Sequence, residues 1–201
     1  MQGQDHVDFI APPVRDTYRH GDLRRALLDA GIELARTGGP QAVVLREATR
    51  RAGVAPNAAY RHFASRQALL DEVRLASLTA LAQAMEKEVA GVRRARNSAA
   101  YARDCLSGVG AAYLRFAQEE TGLFRAAFVP PEPSEPELPG GRPAKAQPGM
   151  PHPFLLLGSV LDRMVEAGVL PVTRRPGAEY LAWSAVHGLA TLVIDGPLAV
   201  M

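Results

Sequence analysis

Residues 45–63 read Leu45-Arg46-Glu47-Ala48-Thr49-Arg50-Arg51-Ala52-Gly53-Val54-Ala55-Pro56-Asn57-Ala58-Ala59-Tyr60-Arg61-His62-Phe63. Two short helices fit here, joined by a tight turn at Gly53-Val54-Ala55. Gly53 can take the positive φ that closes the first helix. Pro56 suits the first turn of the second, where its missing N–H is not needed. The pattern predicts a helix-turn-helix whose second helix is sized for a DNA major groove.

Charge points the same way. Between Leu45 and Arg66 the arginines at 46, 50, 51, 61 and 66 face one acid, Glu47, a net of +4. Residues 67–201 carry 13 Lys/Arg against 14 Asp/Glu, so the positive excess sits on the motif. Phosphate attraction would use it there. A basic face on an ordinary helical hairpin would show the same charge. The glycine turn, the proline start and the Tyr60-Arg61-His62-Phe63 ending are what separate the two readings.

These residues carry a resemblance. Leu45–Val54, then Tyr60-Arg61-His62-Phe63, then Ser65-Arg66 with Ala68-Leu69-Leu70, resemble the N-terminal DNA-binding domain of TetR-family transcriptional regulators. The likeness extends back through His20-Gly21-Asp22-Leu23-Arg24. Three positions depart from the family pattern. Ala48 replaces a larger aliphatic, Thr49 a small apolar residue, and Ala55 a Ser or Thr N-cap. The missing cap would cost the second helix about 1 kcal/mol.

Reading chemistry follows from residue type. Arg46, at the start of the first motif helix, can fork onto a guanine edge, and the resemblance places a base-reading residue there; a phosphate contact is the alternative. Asn57 can pair with adenine, and Pro56 or Ala58 can touch a thymine methyl. Tyr60 and His62 suit phosphate anchoring, and Arg61 suits phosphate or base. Arg66, at a helix N-terminus, is placed to meet a phosphate. Phe63 is read as core.

The remainder is read as helices. Asp22–Thr37 repeats Leu23, Ala26, Leu27, Ala30 and Leu34 at helical spacing, with Asp22 as cap and Gly38-Gly39-Pro40 as stop. Ser65 caps a long helix to about Val89, roughly 36 Å in length. Its expected buried stripe is Leu70, Val73, Leu81 and Ala84. Gly91–Asn97 breaks the chain, and helices follow over Ser98–Glu120, Thr121–Phe128, Pro153–Ala167 and Pro176–Ile194. The proline-rich Pro130–Pro151 reads as an exposed loop. Met1–Thr17 reads as a flexible arm, with Arg15 and Arg19 able to reach DNA backbone. No useful strand-period alternation and no repeat appear. The expected fold is all-α: an arm (1–18), a three-helix helix-turn-helix domain (19–65), and a helical ligand-binding and dimerisation domain (66–201).

Composition bounds the function. A hydrophobic share of 47% suffices for a large core, and a net charge of +2 excludes a global polycation. One cysteine, Cys105, precludes an internal disulfide and fits a reducing cytoplasm. No stretch approaches the roughly 20 apolar residues of a membrane span, so no membrane partner is expected. The five histidines show no metal-ligand spacing, Gly158-Ser159 lacks a nucleophile elbow's second glycine, and no phosphate-cradling loop occurs. No enzyme, metal or cofactor is expected. An interaction module that uses its helical body without DNA is the third class; a salt-dependent shift of duplex separates it from a DNA binder.

Trp183-Ser184-Ala185-Val186-His187-Gly188, with Asp195-Gly196-Pro197, resembles the Trp-x-x-x-His-Gly signature of one subgroup of TetR-type C-terminal domains. The resemblance implies a homodimer built by the last two long helices as a four-helix bundle, and a ligand cavity. Small or aliphatic Ala182, Ala185, Leu189, Leu192 and Val193 suit close helix packing. Candidate ligand residues are Tyr101, Cys105, Tyr113, Phe124, Phe128, Met164, Trp183 and His187; each is equally a residue type that fills plain core. His187, one turn from Trp183, reads first as an interface histidine. Two recognition helices about one turn of DNA apart, roughly 34 Å or more, call for a palindromic operator. A small, mainly apolar effector would release a repressor by shifting the long helix; an activator is the alternative.

Overall fold

The computed structural model describes residues 20–130 and 152–199. The N-terminal arm and the proline-rich loop both fall largely outside them. All regular structure among the described residues is helical: α1 His20–Gly38, α2 Leu45–Arg51, α3 Pro56–Ala59, α4 Arg66–Gly91, α5 Ala99–Glu119, α6 Thr121–Ala127, α7 Pro153–Glu166 and α8 Ala178–Ile194, with 3-10 turns at Pro40–Ala42 and Val172–Arg174.

Local chemistry sets most boundaries. Gly39, Gly53, Gly168 and Gly177 have positive φ, at the breaks after α1, α2 and α7 and before α8. Ser65 and Ser98 cap α4 and α5, each hydroxyl accepting a backbone N–H three residues on, from Ala68 and Tyr101. Ala55 precedes α3 with no side-chain cap bond, as its sequence predicts. α3 is only four residues long. The chain then continues in turns, with the N–H groups of His62 and Phe63 both donating to the Ala59 carbonyl.

α8 begins two residues later than the sequence suggests. Pro176 does not open the helix. It forms a turn with Gly177, whose φ is 74°, closed by the Ala178 N–H donating to the Arg175 carbonyl. Arg175 also ties α7 to α8. It meets Asp162 and Glu179 at 2.7 Å each and the Gly158 carbonyl at 3.2 Å.

α4 packs against α1, α5, α6 and α7. A helix with neighbours on several sides needs a wide apolar face. Buried residues on α4 accordingly include Leu69, Leu70, Val73, Leu78, Leu81, Ala82 and Met85, a broader set than the narrow stripe expected. One continuous core links Leu27 and Leu34 of α1, through α4, to Phe116, Phe124 and Leu161.

Candidate DNA-contacting face and helical cavity

The helix-turn-helix presents one side to solvent and buries the other. Ala59 and Phe63 are 0% and 1% exposed, whereas Tyr60 is 60% exposed. Pro56, Asn57, Arg61 and Arg46 are exposed, and Ala58 and His62 are half-buried. Arg24 of α1 fixes the motif from behind. Its guanidinium lies 4.7 Å from the Phe63 ring centre, donates to the His62 carbonyl at 3.0 Å and pairs with Glu72 of α4 at 2.8 Å.

The five arginines counted in the sequence are not equivalent. Arg50 holds Glu47 at 2.6 and 2.9 Å, and Arg51 reaches it at 3.4 Å. Hydrogen bonding from Arg50 is the main reason the Glu47 carboxyl is pulled down to about 2. Arg66, expected to meet a phosphate, is also tied to the fold. Its Nε donates to the Val43 carbonyl at 2.8 Å and its Nη2 to the Pro40 carbonyl at 2.7 Å. These carbonyls belong to the bend between α1 and α2, and a guanidinium at the start of α4 satisfies both. Arg46 and Arg61 have neither an acid nor a carbonyl partner among the described residues.

A cavity of about 390 Å³ lies in the helical body. Leu78 and Met85 of α4, Leu106 and Val109 of α5, and Phe154 and Leu157 of α7 supply much of its apolar wall, closed by α8. Of the expected ligand residues, Tyr113, Phe128 and Trp183 line it. Phe124 and His187 stand behind these: the His187 ring lies 4.7 Å from Phe128 and 5.6 Å from Phe124, centre to centre. Tyr101 and Cys105 are not brought to the wall. They lie nearer the start of α5, where the stripe is closed in the core. Met164, toward the end of α7, packs against that core and is likewise absent from the wall.

A polar triad borders this space. The Trp183 indole N–H donates to the Tyr113 oxygen at 3.1 Å, and Tyr113 lies 2.8 Å from His187 Nδ1. The indole is a donor only, so the phenol oxygen accepts its N–H, and the direction of the Tyr113–His187 bond follows the imidazole tautomer. Burial raises the Tyr113 phenol well above its ordinary value and lowers the His187 imidazole. Both groups are thereby held neutral. Arg74, Leu78, Met85, His152 and Phe154 also line the cavity, and sequence reasoning did not select them. The available signal was helical spacing from Arg74 to Leu78 and Met85, on an α4 face read as a single stripe.

Comparison with known proteins settles the family. The family described as "Bacterial regulatory proteins, tetR family" matches residues 27–73, and "Tetracyclin repressor-like, C-terminal domain" matches residues 106–201. The chain belongs to the TetR family. A protein of unknown function from Rhodococcus sp. RHA1 has a similar structure, with 26% identity, a TM-score of 0.68, and coverage of 92% of this chain and 89% of the other. The TetR-family transcriptional regulator PfmR from Thermus thermophilus shares the fold at 22% identity and a TM-score of 0.56, over 85% of this chain and 88% of its own. A search of curated proteins finds no match.

TetR-family membership makes this chain a DNA-binding transcriptional regulator, of a kind that generally lacks enzymatic activity. The N-terminal match runs from Leu27 through the helix-turn-helix into α4, and the C-terminal match takes in the cavity walls from Leu106 onward. The α4 wall, with Arg74, Leu78 and Met85, lies between the two matched regions. Among the described residues no helix is long and apolar enough to cross a membrane, and no cluster of His, Cys, Asp or Glu could hold a metal.

Proposed function

We propose that this TetR-family protein is a cytoplasmic repressor. It binds a palindromic operator as a homodimer and leaves it when a small, mainly apolar effector enters the helical cavity. The observation that carries the reading is the exposure of Pro56, Asn57, Tyr60 and Arg61 on a motif whose other face, Ala59 and Phe63, is fully buried. Arg46, Asn57 and Ala58 read bases; Tyr60, His62 and Arg61 contact backbone. Residues 19–65 act as the reading head and 66–201 as the body.

Dimerisation through α7 and α8 is supported by what those helices leave in solvent. Leu155, Tyr180, Leu181, Leu189 and Leu192 are exposed, Leu181 by 77%, and only Ala190 of α8 is buried. Exposed aliphatic surface on consecutive turns of an α-helix favours a partner helix. Two copies paired there present two recognition helices to one face of a duplex.

Release works through α4. Its first turns pack against α1 in the head, and its middle turns wall the cavity. An effector that fits better when α4 is displaced lowers DNA affinity by that difference. The test is selection of bound sites from random duplex, followed by a gel shift of the recovered site over a salt series. A palindromic consensus and a shift that weakens with salt are expected. Recovery of no consensus, or of a single half-site bound by one subunit, would refute the reading.

A further inference from the structure

We propose that the cavity is completed by a second copy of the chain, whose α8 covers an opening along α8 of the first. Effector binding and pairing then reinforce each other. This inference rests on the effector and homodimer reading above and adds that one binding site spans both subunits.

The wall supplied by α8 carries the observation. Ala182, Ala185, Val186 and Leu189 line the cavity. Ala185 is nevertheless exposed, and Leu189 is 41% exposed. Alanine has one side-chain carbon, so the methyl that borders the cavity is the methyl that meets solvent. The cavity therefore opens along this edge of the helix.

The opening adjoins a surface that lacks a cover. Leu181, Ala185, Gly188 and Leu192 recur at spacings of four, three and four, which sets them in one stripe, and all four are exposed. Ala185 belongs to the stripe and to the cavity wall alike. From Tyr180 to Ile194 the helix holds no Asp, Glu, Lys or Arg. A Cβ at Gly188 would meet nothing within 4 Å. Glycine inside a helix is destabilising relative to alanine, and no contact among the described residues requires it. A backbone arriving closely from outside does.

A second copy is the occupant that fits. It brings an identical uncharged stripe, and in a two-fold arrangement the same patch meets itself. The stripe of one copy then lies over the opening beside the stripe of the other, and its leucines supply the missing apolar wall. Residues 131–151 offer a poorer cover: apart from prolines, Leu138 and Met150 are their only large apolar side chains. An apolar effector in the completed cavity touches both subunits. A ligand that binds the pair better than the single chain tightens the pair by the same factor.

The experiment uses N-phenyl-1-naphthylamine, a neutral apolar fluorophore, with the full-length chain. Trp183 is the one tryptophan and lines the cavity, so energy transfer from it reports occupancy of this site. Wild type and Leu181→Glu are titrated, and light scattering gives the mass in the same samples. Leu181 is not on the cavity wall. The variant is expected to be a single chain that binds the probe at least about tenfold more weakly, as when part of an apolar ligand is left in water. A dilution series of the wild type tests the same linkage without a substitution. Probe affinity should fall as subunits separate, and saturating probe should lower the dimer dissociation constant by the matching factor.

A single-chain variant that binds the probe as tightly as the wild type would overturn the inference and leave the homodimer reading standing. A variant that stays paired would place the interface elsewhere and overturn both. Wild type that binds no probe would overturn the inference together with the effector reading. Linked binding and pairing that leave a duplex gel shift unchanged would sustain the inference and refute release.

Discussion

Gly122 of α6 lies against the carbonyl of Ala35 in α1, so close that a Cβ at position 122 would stand 2.2 Å from that oxygen. The Arg36 carbonyl would be 2.4 Å away. Beside this contact Arg36 pairs with Glu120 at 2.8 Å. The last turn of the head's first helix is thus seated directly on the body. α6 makes about two turns, and its C-cap residue Phe128 lines the cavity.

A methyl group at this contact must push two helices apart. Gly122→Ala is expected to destabilise the fold by about 1–3 kcal/mol, the usual range for overpacking. Gly110→Ala is the control, because a Cβ there meets nothing within 4 Å. It should be neutral, or stabilising by up to about 1 kcal/mol through helix propensity. Urea midpoints of the two variants check this, and equal midpoints would argue against a tight α1–α6 seat.

Tyr113→Phe removes the acceptor of the Trp183 N–H and the hydroxyl that hydrogen-bonds His187. Leaving such groups unsatisfied in a largely buried cluster costs about 1–3 kcal/mol. Thermal unfolding of the variant beside the wild type measures it; an unchanged melting temperature would mean that water replaces the hydroxyl without loss.

Stability should also depend on pH through His187. Burial lowers its imidazole below the ordinary 6.5. As pH falls, the unfolded chain takes up this proton first, so protonation favours unfolding. The contribution is whole above about 6.5, is lost as pH drops from there through the lowered folded-state value, and is flat beneath it. His187→Phe should remove that component. The check is the difference in unfolding free energy between wild type and variant across the acid limb. A difference independent of pH would show that the imidazole is as readily protonated folded as unfolded.

On DNA, the arginines should divide. Arg61→Ala is expected to reduce the salt slope of operator binding by about one, as loss of one phosphate contact does. Arg66→Ala should lower stability while leaving that slope unchanged, because its guanidinium already serves Val43 and Pro40. Tyr60→Phe should weaken binding equally at all sequences, whereas Asn57→Ala relaxes specificity. Binding isotherms at several salt concentrations, on operator and on scrambled duplex, separate these outcomes. Loss of specificity from both changes alike would sink the division.

Leu181, the most exposed of the large apolar side chains on α8, is the simplest probe of the paired state. Leu181→Glu places a charge in the proposed interface, and the mass measured by light scattering should fall to that of one chain. A dimer of unaltered stability would move the interface elsewhere.

The helix-turn-helix was legible because its determinants are local. Gly53 supplies the turn, Pro56 starts the next helix and Ser65 caps α4, each through backbone geometry that neighbouring residues fix. The start of α8 differs from the sequence expectation for a related reason. Pro176 is compatible with a helix start and with a turn, and the positive φ of Gly177 selects the turn.

The cavity was legible only in part. Residue type points to Tyr113, Phe128 and Trp183, but equally to Tyr101, Cys105 and Met164, which belong to solid core or its edge. Aromatic and sulfur side chains at helical spacing look alike whether they fill a core or bound a space. Nothing in the chain neighbours of Arg74 and His152 says that α4 and the start of α7 face one void.

Sequence by itself determined most of the helical segments, the Ser65 cap, the reading motif and the family to which the chain belongs, whereas α1 starts at His20, ahead of its expected cap Asp22, and α8 starts at Ala178 rather than Pro176. What it determined depends on contacts within a few residues or on a motif's own spacing. Tertiary structure alone decided that carbonyls from the bend after α1 hold Arg66, which side chains border the cavity, and that a Cβ at position 122 has no room. Those are outcomes of helices from distant parts of the chain meeting at van der Waals distance, where a carbonyl or a carboxylate from elsewhere claims a group that its own segment leaves available.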